Sequence, residues 1–147
     1  MFKQITVFLE NKPGRMEEAT ACLANENINL LALSLADTTD FGILRLIVSE
    51  PDRAVDVLKE KGFMVKTSGV IAMAIGHSPG SLNKVLRELN SLDISIEYMY
   101  AFTSRHIDYG AIVILRLENQ DAAISKIENS KLPILGDELL DSLNEAQ

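Results

Sequence analysis

One cysteine, no tryptophan and two histidines among 147 residues leave little material for several kinds of chemistry. The lone thiol of Cys22 can form no intramolecular disulfide and cannot fill a cysteine-rich zinc site, so nothing demands an oxidising compartment. Cations are scarce as well. Fourteen Lys+Arg against 21 Asp+Glu give a formal net charge of -7, and counterion release from phosphates cannot then supply the affinity that DNA or RNA binding needs. Long apolar runs are missing too. The run at residues 4–9 is ended by Glu10, well short of the roughly 18 residues of a spanning helix, and no small-residue cleavage pattern of a signal peptide follows it. No nucleic acid and no membrane is expected as a partner, and the expected location is cytoplasmic. What is present, 47% hydrophobic and 24% charged residues, is a globular composition that excludes a disordered chain.

The chain repeats itself. Asn11-Lys12-Pro13-Gly14-Arg15-Met16 returns 66 residues later as His77-Ser78-Pro79-Gly80-Ser81-Leu82, each after a short apolar run and before a stretch with helical spacing. At the same offset Leu23 meets Leu89, and Asn27-Ile28-Asn29 meets Asp93-Ile94-Ser95. After a two-residue insertion, Phe41-Gly42 returns as Tyr109-Gly110 and Glu50 as Glu118. The order and spacing of these positions define two repeats, residues 1–69 and 70–147, each expected to be one small domain. The first holds 8 basic and 10 acidic residues, the second 6 and 11, so most of the excess acid lies in the second.

Each repeat reads as strand, helix, strand, strand, helix, strand. The first strands fall at about residues 3–9 and 70–75, rich in β-branched and apolar residues. Pro13 and Pro79 suit the first turn of a helix, whose early N–H groups have no intrahelical partner. Leu82, Val85, Leu86 and Leu89 then form an apolar stripe, with Met16, Ala19 and Leu23 a thinner one in the first repeat. Asn27 and Asp93 mark the turns into second strands at 28–36 and 94–102. Gly42 and Gly110 open the third, after polar hairpin loops at 37–40 and 104–108. Ser49-Glu50-Pro51-Asp52 opens a second helix with Ala54, Val55 and Leu58 inward, matched by Ala123, Ile124 and Ile127. Gly62 serves as its left-handed end. The last strands are expected at 63–66 and 132–135, the latter at an edge because of Pro133, and Leu139, Leu140 and Leu143 suggest a short terminal helix. The order is that of the ferredoxin-like split βαβ, so the expected fold is α+β: two βαββαβ repeats with antiparallel sheets and helices on one face. About 70 residues bury only about 60% of their unfolded surface, so each repeat is expected to pack on the other or on a second chain.

Pro13-Gly14 with Asn27-Ile28, and Pro79-Gly80 with Asp93-Ile94, resemble the ACT domain, here as a tandem pair covering nearly the whole chain. The resemblance implies a non-catalytic regulatory module that binds a free amino acid at an interface between paired domains. It also implies pairing as a homodimer and a metabolic enzyme or other regulator that reads the bound state. The loop chemistry agrees. A helix N-terminus presents unpaired N–H groups and positive dipole to a carboxylate, glycines at 14 and 80 permit close approach, and Asn11, Asn27 or Asp93 with strand-end carbonyls can accept from an ammonium. The candidate ligand-binding residues are Asn11, Lys12, Pro13, Gly14, Arg15, Met16, Asn27 and Ile28, with His77, Ser78, Pro79, Gly80, Ser81, Leu82, Asp93 and Ile94. Arg15 departs from the apolar residue usual after Pro-Gly in the family. A few charge-assisted bonds, less the cost of ordering the ligand, give an expected dissociation constant of roughly 10 µM. Asn11-Lys12 against His77-Ser78 predicts unequal sites.

Blander readings stand beside these. The glycines make tight turns, Asn27 and Asp93 end helices, and Arg15 and His77 are solvated. Cys22 reads as a small buried thiol rather than a nucleophile. His106, in a hairpin loop, and His77 make no pattern for a metal site or a Ser-His-Asp arrangement, so no catalytic residue, metal or cofactor is expected. Tyr98, Tyr100 and Phe102 alternate along one strand and form an aromatic face suited to a domain interface. The alternatives are a ligand-free structural or dimerisation module, a regulatory subunit of a metabolic enzyme, and a small ferredoxin-like enzyme with an unrecognised pocket.

Overall fold

The computed structural model describes residues 1–103 and 110–145. Two compact units divide the chain, one of Lys3–Gly69 and one of Met1–Phe2 with the chain from Val70 onward. In the first unit, β1 (Phe2–Glu10) is followed by α1 (Arg15–Asn25), β2 (Leu30–Asp37), β3 (Phe41–Val48) and α2 (Pro51–Glu60). β3 runs antiparallel to both β1 and β2, with Ile5 opposite Leu46 and Leu33 in turn opposite Leu46 on the other side. The two-residue period of the strands sends Ile5, Val7, Leu9, Leu44 and Leu46 to one face. There they pack with Ala19 and Leu23 of α1, Ala54 and Leu58 of α2, and Phe63. Burying one such leucine contributes about 1.5–3 kcal/mol, so the helical stripe rather than propensity holds the short helices in place.

The second unit repeats this order. β4 (Met64–Ile75), which belongs to the first unit up to Gly69 and to the second from Val70, leads to α3 (Ser81–Ser91), β5 (Ile96–Phe102), β6 (Ala111–Leu117), α4 (Gln120–Glu128), the two-residue β7 (Ile134–Leu135) and α5 (Glu138–Glu145). β6 pairs antiparallel with β4 and β5, and β7 pairs only with β4. Ile71, Met73, Val113, Leu115 and Leu117 pack with Val85, Leu89, Ala123 and Ile127. Leu139 and Leu143 of α5 are buried. The architecture is the expected α+β arrangement of βαββαβ-like repeats with antiparallel pairing.

Several boundaries differ from the expected ones. The strands placed at 63–66 and 70–75 are one strand, β4, because Lys66-Thr67-Ser68-Gly69 contains no residue with positive φ to turn the chain. The helices begin at Arg15 and Ser81, so Pro13 and Pro79 precede the cap glycines rather than occupying the first turn. The Ser49 hydroxyl does not cap α2; it accepts instead from the Asn29 N–H at 3.0 Å. The loop at 104–108 with His106, and Tyr109, lie outside the described residues. Among the described residues, no helix is long and apolar enough to cross a membrane.

Candidate functional site

Each Pro-Gly loop is a type II turn. The Arg15 N–H donates to the Lys12 carbonyl at 3.4 Å, and the Ser81 N–H to the Ser78 carbonyl at 3.1 Å, so proline is second and glycine third in both turns. Gly14 (φ 85°, ψ -6°) and Gly80 (φ 86°, ψ 0°) hold the left-handed dihedrals that the third position requires. A Cβ on either would meet nothing within 4 Å. Glycine is therefore demanded by conformation and not by a close neighbour, and neither glycine lines the cleft beside its own loop.

Asn27 and Asp93 are the other fixed points of the repeat, and both end a helix. The Ile28 N–H bonds the Leu23 carbonyl at 2.9 Å and the Asn27 N–H the Ala24 carbonyl at 3.0 Å. Ile94 with Leu89 and Asp93 with Asn90 repeat the pattern at 3.0 Å each. These are Schellman motifs with a left-handed residue after the cap, at φ 57° and 54°. Gly62 takes the same role after α2. Ile28 and Ile94 follow into the core at 4% and 9% exposure, so the second strands start two residues later than their sequence suggests. An 11-residue helix separates these caps from the Pro-Gly turns, a rise of about 16 Å. Asn27, Ile28, Asp93 and Ile94 are thus not brought together with the loop residues.

The loop of the first unit lines a cleft. This cleft, of about 380 Å³, lies over Asn11, Lys12, Pro13, Arg15 and Met16 and is closed on its far side by Leu35, Ala36, Asp37 and Gly42. The β1–β3 register, Leu9 opposite Gly42, sets this wall. Lys12 pairs with Glu10 at 2.9 Å, and its ammonium holds the exposed Glu10 carboxyl below the usual carboxylate range. The Asn11 amide donates to the Thr39 carbonyl at 3.4 Å. Arg15 is neither solvated nor free: it pairs with Glu18 at 2.5 Å, and its guanidinium lies 4.3 Å from the centre of the Phe63 ring. Its Nε is buried without a partner. The cleft's cations are therefore already engaged, whereas Asp37 is an exposed carboxylate with no partner among the described residues. Leu9, Met16 and Leu35 supply apolar surface.

The second loop is built differently. Of His77, Ser78, Pro79, Gly80, Ser81 and Leu82, only Ser81 lines the neighbouring cleft of about 310 Å³, with Gly76, Lys84, Glu88 and Lys131. A Cβ at Gly110 would lie 2.5 Å from the Gly76 carbonyl carbon and 2.7 Å from the His77 nitrogen, so two backbones meet here. In the first unit a Cβ at the matching Gly42 would meet the Leu35 and Leu9 side chains at 3.5 and 3.6 Å and the Leu9 carbonyl oxygen at 3.9 Å, all ordinary contacts. Cys22 packs against the first core as an apolar group would. Among the described residues, no three His, Cys, Asp or Glu side chains come together in a metal-binding group. Leu35, Ala36, Asp37 and Gly42 were not singled out as site residues. Only the Phe41-Gly42 repeat hinted at them.

Comparison with known proteins places this geometry. The profile of the ACT domain pair family matches residues 1–144. A Bacteroides thetaiotaomicron protein of known crystal structure is similar over 95% of this chain and 94% of its own, with 43% identity and a TM-score of 0.85. The ligand-free regulatory subunit of aspartate kinase from Thermus thermophilus shares the fold at 15% identity, with 86% of this chain and 91% of that one covered and a TM-score of 0.59. The Thermus flavus counterpart shares it at 14% identity, with 86% and 90% covered and a TM-score of 0.56. No curated protein matches the chain. Two βαββαβ-like repeats, two Pro-Gly turns in register and a match over nearly the whole length have one conclusion: the chain belongs to the ACT domain pair family.

Proposed function

We propose that the chain is a non-catalytic regulatory protein whose two repeats, residues 1–69 and 70–147, are each one ACT-like domain, and that it binds a free amino acid in the cleft of the first unit. The observation that carries this reading is the cleft lined by Pro13, Arg15 and Met16 at the start of α1, with the unpaired Asp37 on its opposite wall. The ligand carboxylate is placed at the first-turn N–H groups of α1, its ammonium at Asp37, and its side chain against Leu9, Met16 and Leu35. Because Lys12 and Arg15 are engaged by Glu10 and Glu18, an apolar side chain suits the cleft better than an acidic one. The second loop, with its different lining, binds more weakly or takes a different ligand. The regulatory subunits of aspartate kinase that share the fold support a partner that is a metabolic enzyme or another regulator.

Two copies are proposed to pair through β2. Its outer edge has no strand partner in the first unit, and Leu33 and Leu35 are 46% and 51% exposed. Binding would then act by population shift, favouring the paired arrangement that a partner reads. A cytoplasmic site of action fits the single free cysteine. A thermal-shift screen of the full chain against the proteinogenic amino acids tests the reading. At a hundredfold excess over the dissociation constant, a ligand adds about 2.7 kcal/mol, or roughly 5–10 °C for a chain of this size. No shift with any amino acid at millimolar concentration would refute it.

A further inference from the structure

Arg15 holds a donor that nothing around it uses. A guanidinium carries five N–H donors in a fixed fork. Here Nη1 donates to Glu18, the Phe63 ring lies 4.3 Å from the central carbon, and Nε is buried with no hydrogen-bond partner. It is the one buried side-chain nitrogen or oxygen left so among the described residues, and such a donor is costly to a folded chain. The arrangement follows from the sequence. Phe63 is 6% exposed and belongs to the first core, while Glu18 stands three residues along α1 and so shares a helix face with Arg15. The Arg15 side chain keeps 23% exposure and lines the first cleft, whereas Glu18, 54% exposed, does not line it.

We propose that Arg15 recognises the ligand's carboxylate: on binding, its guanidinium turns from Glu18 to that carboxylate, beside the first-turn N–H groups of α1, and Nε–H gains its acceptor in the same movement. The inference rests on the amino-acid site proposed for this cleft and adds to it a recognising side chain. A carboxylate takes two parallel N–H bonds from one edge of a guanidinium. Glu18, bound through Nη1, leaves the Nε–Nη2 edge without a hydrogen bond among the described residues. Releasing an exposed carboxylate such as Glu18 to water costs little, and the exchange asks only one long side chain to turn. Because the one free edge goes to the carboxylate that every amino acid carries, an acidic ligand side chain gains nothing further from Arg15.

The test is calorimetric titration of the full chain and its variants with leucine, methionine and phenylalanine, and with leucinamide, which keeps the ammonium and side chain but has no carboxylate. Arg15→Met is expected to weaken the three amino acids about tenfold and to leave leucinamide unchanged. Glu18→Gln removes the competing carboxylate and is expected to tighten the amino acids about threefold, which a purely structural Arg15 would not produce. The double variant is expected to bind as Arg15→Met does, since both residues act through one contact. Should Arg15→Met fail to fold, Arg15→Lys keeps the charge without the fork and is expected to weaken the amino acids about three- to fivefold. Amino acids bound as tightly by Arg15→Met as by the parent, or no more tightly by Glu18→Gln, would overturn this inference and leave the proposed site standing. No binding of any of the three by the parent would overturn the site and the inference together.

Discussion

Replacing Gly14 or Gly110 by alanine adds the same methyl group at glycines of two different repeat motifs, and the two positions resist it for different reasons. At Gly14 the new Cβ has no atom within 4 Å, and the cost is that of holding an L-residue at φ 85°, about 1–2 kcal/mol. At Gly110 it lies 2.5 Å from a backbone carbon of Gly76 and 2.7 Å from its oxygen. Relief requires β4 and the start of β6 to move apart, so the expected cost exceeds 3 kcal/mol, in the range of severe core overpacking. Gly42→Ala, with no neighbour nearer than 3.5 Å and the Leu9 carbonyl oxygen at 3.9 Å, should cost less than about 1 kcal/mol. Urea unfolding followed by circular dichroism measures all three, with native-state hydrogen exchange assigning each loss to its own unit. For a unit of about 70 residues, each kcal/mol corresponds to roughly 4–8 °C in Tm. A Gly110→Ala protein as stable as Gly14→Ala would refute the claim that two backbones meet at that point.

Other substitutions probe the caps and the cleft. Asn27→Gly should be neutral or stabilising by up to about 1 kcal/mol, and Asn27→Ala destabilising by about 1 kcal/mol, because only the left-handed conformation is being tested; denaturant midpoints decide it. Arg15→Met should leave stability within about 1 kcal/mol of the parent, since it removes a buried unpaired Nε together with the ring contact and the Glu18 pair, as read by Tm. Asp37→Asn should leave the ligand-free Tm unchanged and reduce the thermal shift by a bound amino acid, with affinity lowered about fivefold by calorimetry.

The repeat at an offset of 66 residues carried the element order, because strand and helix periods survive substitution as long as the apolar positions keep their spacing. Gly62 was legible as a helix end for the same local reason, and Pro133 as an edge. Asn27-Ile28 and Asp93-Ile94 misled, since a polar residue followed by isoleucine looks alike whether it opens a strand or closes a Schellman motif. The difference is a hydrogen bond to a carbonyl five residues back. Pro13 and Pro79 misled similarly: a type II turn and a helical first turn both welcome proline, and the glycine that follows decides between them. The far wall of the cleft, from Leu35 to Asp37, depends on the register of β3 between β1 and β2. That register is a long-range fact that no single segment states.

The row of leucines on β2 also bears on how the protein behaves once unfolded or unpaired. From Leu30 to Ala36 the strand carries no charge, its outer backbone groups have no strand partner in the first unit, and Leu33 and Leu35 stand exposed. Seven such residues make a template for intermolecular β-pairing. A change that frees this edge, by weakening assembly or by dilution at high temperature, should therefore register first as turbidity and only later as lost helix. Lysine at position 33 would act as a gatekeeper against it.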